Sequence, residues 1–182
     1  MPRAGLDAEA VVSAAAELAD SQRLEALTLA RLAQKLCVRP PSLYAHVNGL
    51  EDLRGRIGAL GARELAAVLG AAAAGRAGRE ALEAVAHAYR AYARDHPGRY
   101  AALQLAGRGP EAQAVVDVVV AVLRGYGLAG EPAIHAVRTI RAGLHGFVSL
   151  EAGGGFGLPL SVDESFDKLV AVLHEGLEGV AS

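Results

Sequence analysis

Residues 28–53 read TLARLAQKLCVRPPSLYAHVNGLEDL, and this stretch decides the fold. Thr28 can cap a helix from Leu29 to Leu36, in which Leu32, Ala33 and Leu36 recur at helical spacing. A second short helix opens at Pro40 and Pro41 and ends near Val47, with Leu43 and Val47 facing inward. Proline is tolerated there because the first N–H groups of a helix have no intrahelical acceptor. Val38 plugs the turn between the two. Two short helices, a turn of three or four residues, and apolar side chains only where the helices meet describe a helix-turn-helix. In that unit the second helix enters the DNA major groove and its first residues approach base edges.

The outward side chains suit that task. Arg39, Pro40, Pro41, Ser42 and Ala45 occupy the exposed start and flank of the second helix. Arg39 has the donors for a guanine, and Ser42 for a base or a phosphate. Tyr44 and His46 offer donors of the kind used on phosphates. Thr28 sets a hydroxyl and a helix N-terminus where a phosphate can bind. Ala45 can only touch a thymine methyl or permit close approach. The net charge of −2 argues against a nucleic-acid binder at first sight. Its distribution argues the other way: residues 28–50 hold no acid but include Arg31, Lys35 and Arg39. On charge alone, an ordinary solvated face fits equally well.

Outside this window alanine, leucine and valine dominate, and the prolines fall near helix starts. Asp7 can cap a first helix through Ala19 with Val11, Ala15 and Leu18 on one face. A fourth opens at Asn48–Gly49 and carries Leu53, Ile57, Leu60 and Leu65 towards Leu69. Further helices are expected at 79–95, 100–105, 111–126, 131–152 and 161–180. The chain therefore reads as all-α, with about nine helices. A helix-turn-helix domain over 1–49 leads through a connecting fourth helix and a weak joint (Gly70–Gly78, within 50–77) to a larger helical domain over 78–182. Cys37 is the only cysteine, so no intrachain disulfide can form, which fits a reducing cytoplasm. No secretory leader and no apolar run of about 18 residues is present, so no membrane partner is expected.

The window resembles the tetracycline-repressor (TetR) family at Thr28, Leu32, Ala33, Val38, Ser42, Leu43, Tyr44, His46, Val47 and Leu53. The segment from Ala142 to Leu169, AGLHGFVSLEAGGGFGLPLSVDESFDKL, is similar to the C-terminal ligand-binding and dimerisation domain of one subgroup. The resemblance implies an all-α homodimer that represses transcription and releases DNA when a small molecule binds. Three features depart from the family pattern. Leu50 stands where lysine is usual, so its phosphate contact is lost or passes to backbone N–H groups. Cys37 stands where glycine is common, and a left-handed backbone there costs roughly 1 kcal/mol. The Pro40–Pro41 pair is unusual, although Pro41 fits a first helical position.

In the remainder, Tyr89, Tyr92, Tyr100, Leu103, Arg141, His145 and Phe156 are candidates to line a small-molecule pocket, or else satisfied core residues. His87, His135 and His145 lack partners at ligand spacing, and Glu83 four residues before His87 is no metal motif; neither a metal nor a cofactor is expected. No nucleophile–base pair or carboxylate pair marks an enzyme. Gly153–Gly155 and Gly157 follow a helical run and lead into Pro159, a flexible turn rather than a phosphate loop. Apolar stripes of Val137, Ile140, Leu144 and Val148, then Phe166, Leu169, Val170, Leu173 and Leu177, suggest a four-helix dimer interface. Twofold symmetry would demand a palindromic operator with half-sites about 34–36 Å apart. The competing readings are an all-helical small-molecule-binding protein or enzyme with no DNA role, and a constitutive interaction module.

Overall fold

A computed structural model describes residues 6–106 and 109–181. The α-helices are α1 (Ala8–Gln22), α2 (Leu29–Lys35), α3 (Leu50–Ala73), α4 (Gly78–Asp95), α5 (Pro97–Leu105), α6 (Pro110–Arg124), α7 (Gly130–Ala152) and α8 (Val162–Ala181). Two 3-10 segments, Leu24–Ala26 and Pro40–Ala45, complete them, and the described residues contain no strand. No helix among them is long and apolar enough to cross a membrane. The chain forms two compact units: 1–64 with 95–112, and 65–94 with 113–182. The residues expected to form the helix-turn-helix lie in the first, which also takes in the start of α3 and all of α5.

Capping and burial explain the first unit. The Ala10 N–H donates to Asp7 Oδ1 at 2.7 Å and fixes the start of α1. Val11, Ala15 and Leu18 are buried, together with Leu24, Leu27, Leu32, Leu43, Val47, Leu53 and Ile57. Helix α1 continues three residues past Ala19, to Gln22, and stops where Arg23 takes a positive φ of 71°. Small residues let α5 lie against its neighbours. A Cβ on Gly98 would sit 2.2 Å from the Ala19 carbonyl carbon, and one on Gly58 or Gly61 would meet α5 carbonyl oxygens at 2.7 and 2.9 Å. The seam is locked electrostatically. Asp20 accepts the Arg99 N–H at 2.9 Å and pairs with its guanidinium at 3.2 Å, which also reaches Glu64 at 3.2 Å.

Two expectations are corrected here. The segment Pro40–Ala45 is a 3-10 helix rather than an α-helix: its Ser42 and His46 N–H groups donate to carbonyls three residues back, those of Arg39 and Leu43. Gly70 does not begin a joint: α3 runs through it to Ala73, since the alanines that follow are the strongest helix formers. The chain turns only over 74–77, where Gly75 adopts a φ of 73°.

The second unit packs α4, α6, α7 and α8. Its core includes Leu82, Val85, Leu123, Ile140, Leu144, Phe147, Val148, Phe166 and Val170. Gly143 opens the face of α7 to α8, where a Cβ would meet Leu169 and Leu173 methyls at ordinary contact distance.

Candidate nucleic-acid interface

The reading head is built from a helix stop. At the end of α2 the Cys37 N–H donates to the Gln34 carbonyl (3.1 Å) and the Val38 N–H to the Ala33 carbonyl (3.0 Å). This pair of bonds is a Schellman motif, which requires a left-handed residue at its centre. Cys37 occupies that position with φ 55°, as the sequence suggested. Val38 then turns back onto the core. Arg39 is extended (φ −80°, ψ 142°), the geometry its following proline imposes. The Ser42 N–H donates to the Arg39 carbonyl and starts the 3-10 turn.

Burial then sorts the side chains of this turn. Leu43 and Val47 are fully buried, so their neighbours must point outward. Arg39, Pro40, Pro41, Ser42 and Ala45 are exposed, Tyr44 retains 61 % of its surface, and His46 is half-buried. Thr28 is exposed and caps α2, its hydroxyl accepting the Arg31 N–H at 3.2 Å. All eight expected contact residues thus belong to one compact unit.

The charges are less available than the sequence suggests. Arg31 donates to Gln22 Oε1 at 3.2 Å and to the Ala26 carbonyl at 3.1 Å. Lys35 pairs with Glu17 at 3.0 Å. Arg39 pairs with no described carboxylate. At the start of α3, Leu50 packs against the core of the first unit. The nearby Asn48 N–H, which could have replaced the missing lysine, donates instead to Asp52 Oδ2 at 2.8 Å. That bond, reinforced by Arg56 at 3.0 Å, holds the Asp52 carboxyl below its ordinary range. That amide is therefore already engaged within the protein and is not free to stand in for a lysine here.

The remaining candidates are distributed as follows. Tyr100 is buried and Leu103 half-buried on α5, in the first unit. In the second, Tyr89 and Tyr92 are buried on α4. Arg141 is exposed and His145 half-buried on α7; burial, then the Arg141 charge, pushes the His145 imidazole below its usual range. Phe156 lies at the surface with its ring 4.8 Å from that of Phe147. Of the expected interface residues, Val137 and Leu169 are half-buried and the other seven are buried in the protomer's own core. The apolar residues that α7, α8 and their connection leave exposed are others, including Ile134, Leu150 and Val172. Periodicity finds apolar stripes but does not say which of them the subunit uses internally.

Sequence reasoning missed Arg90, buried to 6 % exposure on α4. It makes a two-pronged contact with Glu151 (2.9 and 2.5 Å), reaches Asp163 at 2.7 Å, and lies over the rings of Phe147 and Phe166. The available signal was an arginine inside the apolar stripe of Ala86, Tyr89 and Ala93.

A short helix, a helical stop and an exposed polar turn over a buried leucine define a helix-turn-helix DNA-binding protein. Residues 82–173 match the family model described as the tetracyclin repressor-like C-terminal domain. The HTH-type transcriptional regulator YobS of Bacillus subtilis is 35 % identical to this chain over 97 % of it and 95 % of that protein. A second HTH-type regulator, Rv0681 of Mycobacterium tuberculosis, is 38 % identical over 96 % of this chain and 83 % of that protein. The solved structure of a possible TetR family regulator from Streptomyces coelicolor shares the fold, with TM-score 0.79, 22 % identity, and coverage of 96 % and 100 %. The chain belongs to the TetR family and is a helix-turn-helix transcriptional regulator.

Proposed function

We propose that the protein is a cytoplasmic repressor that binds a palindromic operator as a homodimer and leaves it when a small molecule binds. We also assign it to the subgroup marked by LHGFVSLEAGGGFG, residues 144–157. The observation that carries the operator reading is the alternation in the 3-10 turn: Leu43 and Val47 inside, Arg39, Ser42, Tyr44 and Ala45 outside. Thr28 and His46 flank it as phosphate donors, and Arg39 reads a base.

Release follows from packing. Helix α5 touches α1 and α3 through backbone at Gly98, Gly58 and Gly61, leaving no side-chain layer to absorb a shift. An effector that favours a different α5 position moves the reading head with it, a population shift between two states. Selection of bound fragments from a random DNA pool tests the reading. A palindrome is expected. Tyr44→Ala should weaken every sequence alike, by about tenfold, while Arg39→Ala relaxes choice at one position per half-site. An asymmetric site, or full affinity in the Tyr44 variant, refutes it.

A further inference from the structure

The connection between α7 and α8 carries a function of its own. Residues 152–162 read AGGGFGLPLSV and contain no charge. Leu158 and Leu160 keep 77 % and 74 % of their surface, and Leu150 and Phe156 beside them are exposed as well. Such a patch is expensive in water unless something covers it.

The connection is nevertheless an ordered object. The Gly155 N–H donates to the Leu150 carbonyl at 2.7 Å, and the Gly154 N–H to that of Glu151 at 3.1 Å. Gly155 folds so close to Leu150 that a Cβ would stand 3.1 Å from its methyl. Phe156 rests on Phe147. Glu151 before the segment and Asp163 after it both bind the buried Arg90, which fastens the two ends to α4. The segment is an anchored arm that presents Leu158 and Leu160 outward.

At the opposite end of the same two helices lies an empty apolar groove of about 580 Å³, between the start of α7 (Pro132, Ala136, Ile140) and the end of α8 (Val172, Gly176, Val180). An arm cannot reach the groove of its own chain. Fourteen residues separate Leu150 from Ala136 and Val162 from Gly176, about 21 Å of helix in each case. The arm of the same chain therefore cannot cover it.

We propose that the arm of each subunit packs into the groove of a second copy of this chain, arm to groove and groove to arm. This rests on the homodimer reading and adds the contact that completes it. The sizes support it: a stable interface needs about 20–30 residues a side, and the eleven residues that line the groove with the eleven of the arm give each subunit twenty-two. Charge agrees, since the arm has none and Glu131 is the one carboxylate among the groove's eleven lining residues. A reciprocal contact also closes on itself, so assembly stops at two.

The test uses the full chain with Cys37→Ser as parent. Leu158→Cys and Gly176→Cys are then added together and singly, with open space at Gly176 to receive the side chain. Under mild oxidation the double variant should run as a covalent dimer and each single variant as a monomer on a denaturing gel. Cysteines whose Cα atoms lie more than about 7 Å apart cannot join, so bonding within one chain is excluded. A parent that is dimeric by light scattering but yields no disulfide overturns the arm contact and leaves the dimer intact. A monomeric parent overturns both, and a ladder beyond dimer overturns the closed exchange. Independently, Leu158→Ser with Leu160→Ser should raise the dimer dissociation constant at least tenfold at unchanged helical content. An unchanged constant sinks the proposal.

Discussion

Replacing Cys37 by glycine should stabilise the reading head. Cys37 sits at φ 55° because the two hydrogen bonds that end α2 leave it no other conformation. A non-glycine residue in the left-handed region loses about 1–2 kcal/mol to the clash between its Cβ and the backbone. Glycine removes that loss but adds freedom to the unfolded chain, worth about 0.4–1 kcal/mol in the other direction. The thiol is exposed and contributes no packing. At the midpoints of the two ranges the net is a gain of about 0.8 kcal/mol, or a rise of about 3–6 °C if the first unit melts as a domain of 60–100 residues. Thermal and urea melts of Cys37→Gly and Cys37→Ala measure it. Alanine keeps the Cβ and should leave stability near wild type, and operator affinity should be retained by both. Equal stability of the two variants would refute backbone strain as the cause, and a less stable glycine variant would refute the sign.

Two further outcomes follow from packing and charge. Gly98→Ala should destabilise by at least about 2 kcal/mol in chemical denaturation, because the added carbon meets α1 backbone rather than a movable side chain. Arg90→Met should remove the acid-sensitive part of the stability. The Arg90 hydrogen bonds hold the Glu151 carboxyl below its ordinary value, so that stabilisation is complete above the unfolded value near 4.5 and is lost as pH falls through the lower folded one. Melting points of wild type and variant between pH 3 and 6 should therefore converge at the acid end, and parallel curves would contradict the assignment.

The helices were legible where a cap met a long apolar period. Asp7 and Thr28 mark the starts of α1 and α2 in the sequence, and each makes its expected side-chain bond. The 3-10 segment at Leu24–Ala26 was not, because three residues carry no period. The strained turn at Cys37 could be read because only the family pattern's glycine makes a cysteine there conspicuous. Arg90 was hidden for a different reason: its partners lie 61 and 73 positions away, so no local pattern links them. Gly58, Gly61 and Gly98 look like helix weaknesses in one dimension and become close approaches only in three. On α7 and α8 the apolar stripes were legible, but not which of their residues the subunit buries itself, because two stripes on one helix are equivalent until a neighbour covers one.

The charge pattern finally bears on how the protein holds DNA. Sequence-independent affinity comes mainly from neutralised phosphates and the counterions they release. Of the three cations in the window, Arg31 is tied to Gln22 and a carbonyl, and Lys35 is matched by Glu17. Leu50 contributes no charge, and Asp52 after it is matched by Arg56. On the docking proposed above, each subunit would bring Arg39 and the neutral donors Thr28, Ser42 and Tyr44 to its half-site. A dimer so equipped should neutralise at most about two phosphates, giving log K against log salt a slope no steeper than about −2. Leu50→Lys should steepen it by about two, one phosphate for each subunit, and raise binding to non-operator DNA with it. A wild-type slope near −10, or a lysine variant with an unchanged slope, would show that cations outside this window make the grip. With the shallow slope, discrimination rests on base contacts made by both subunits at once, which is why a single reading head should bind poorly even at low salt.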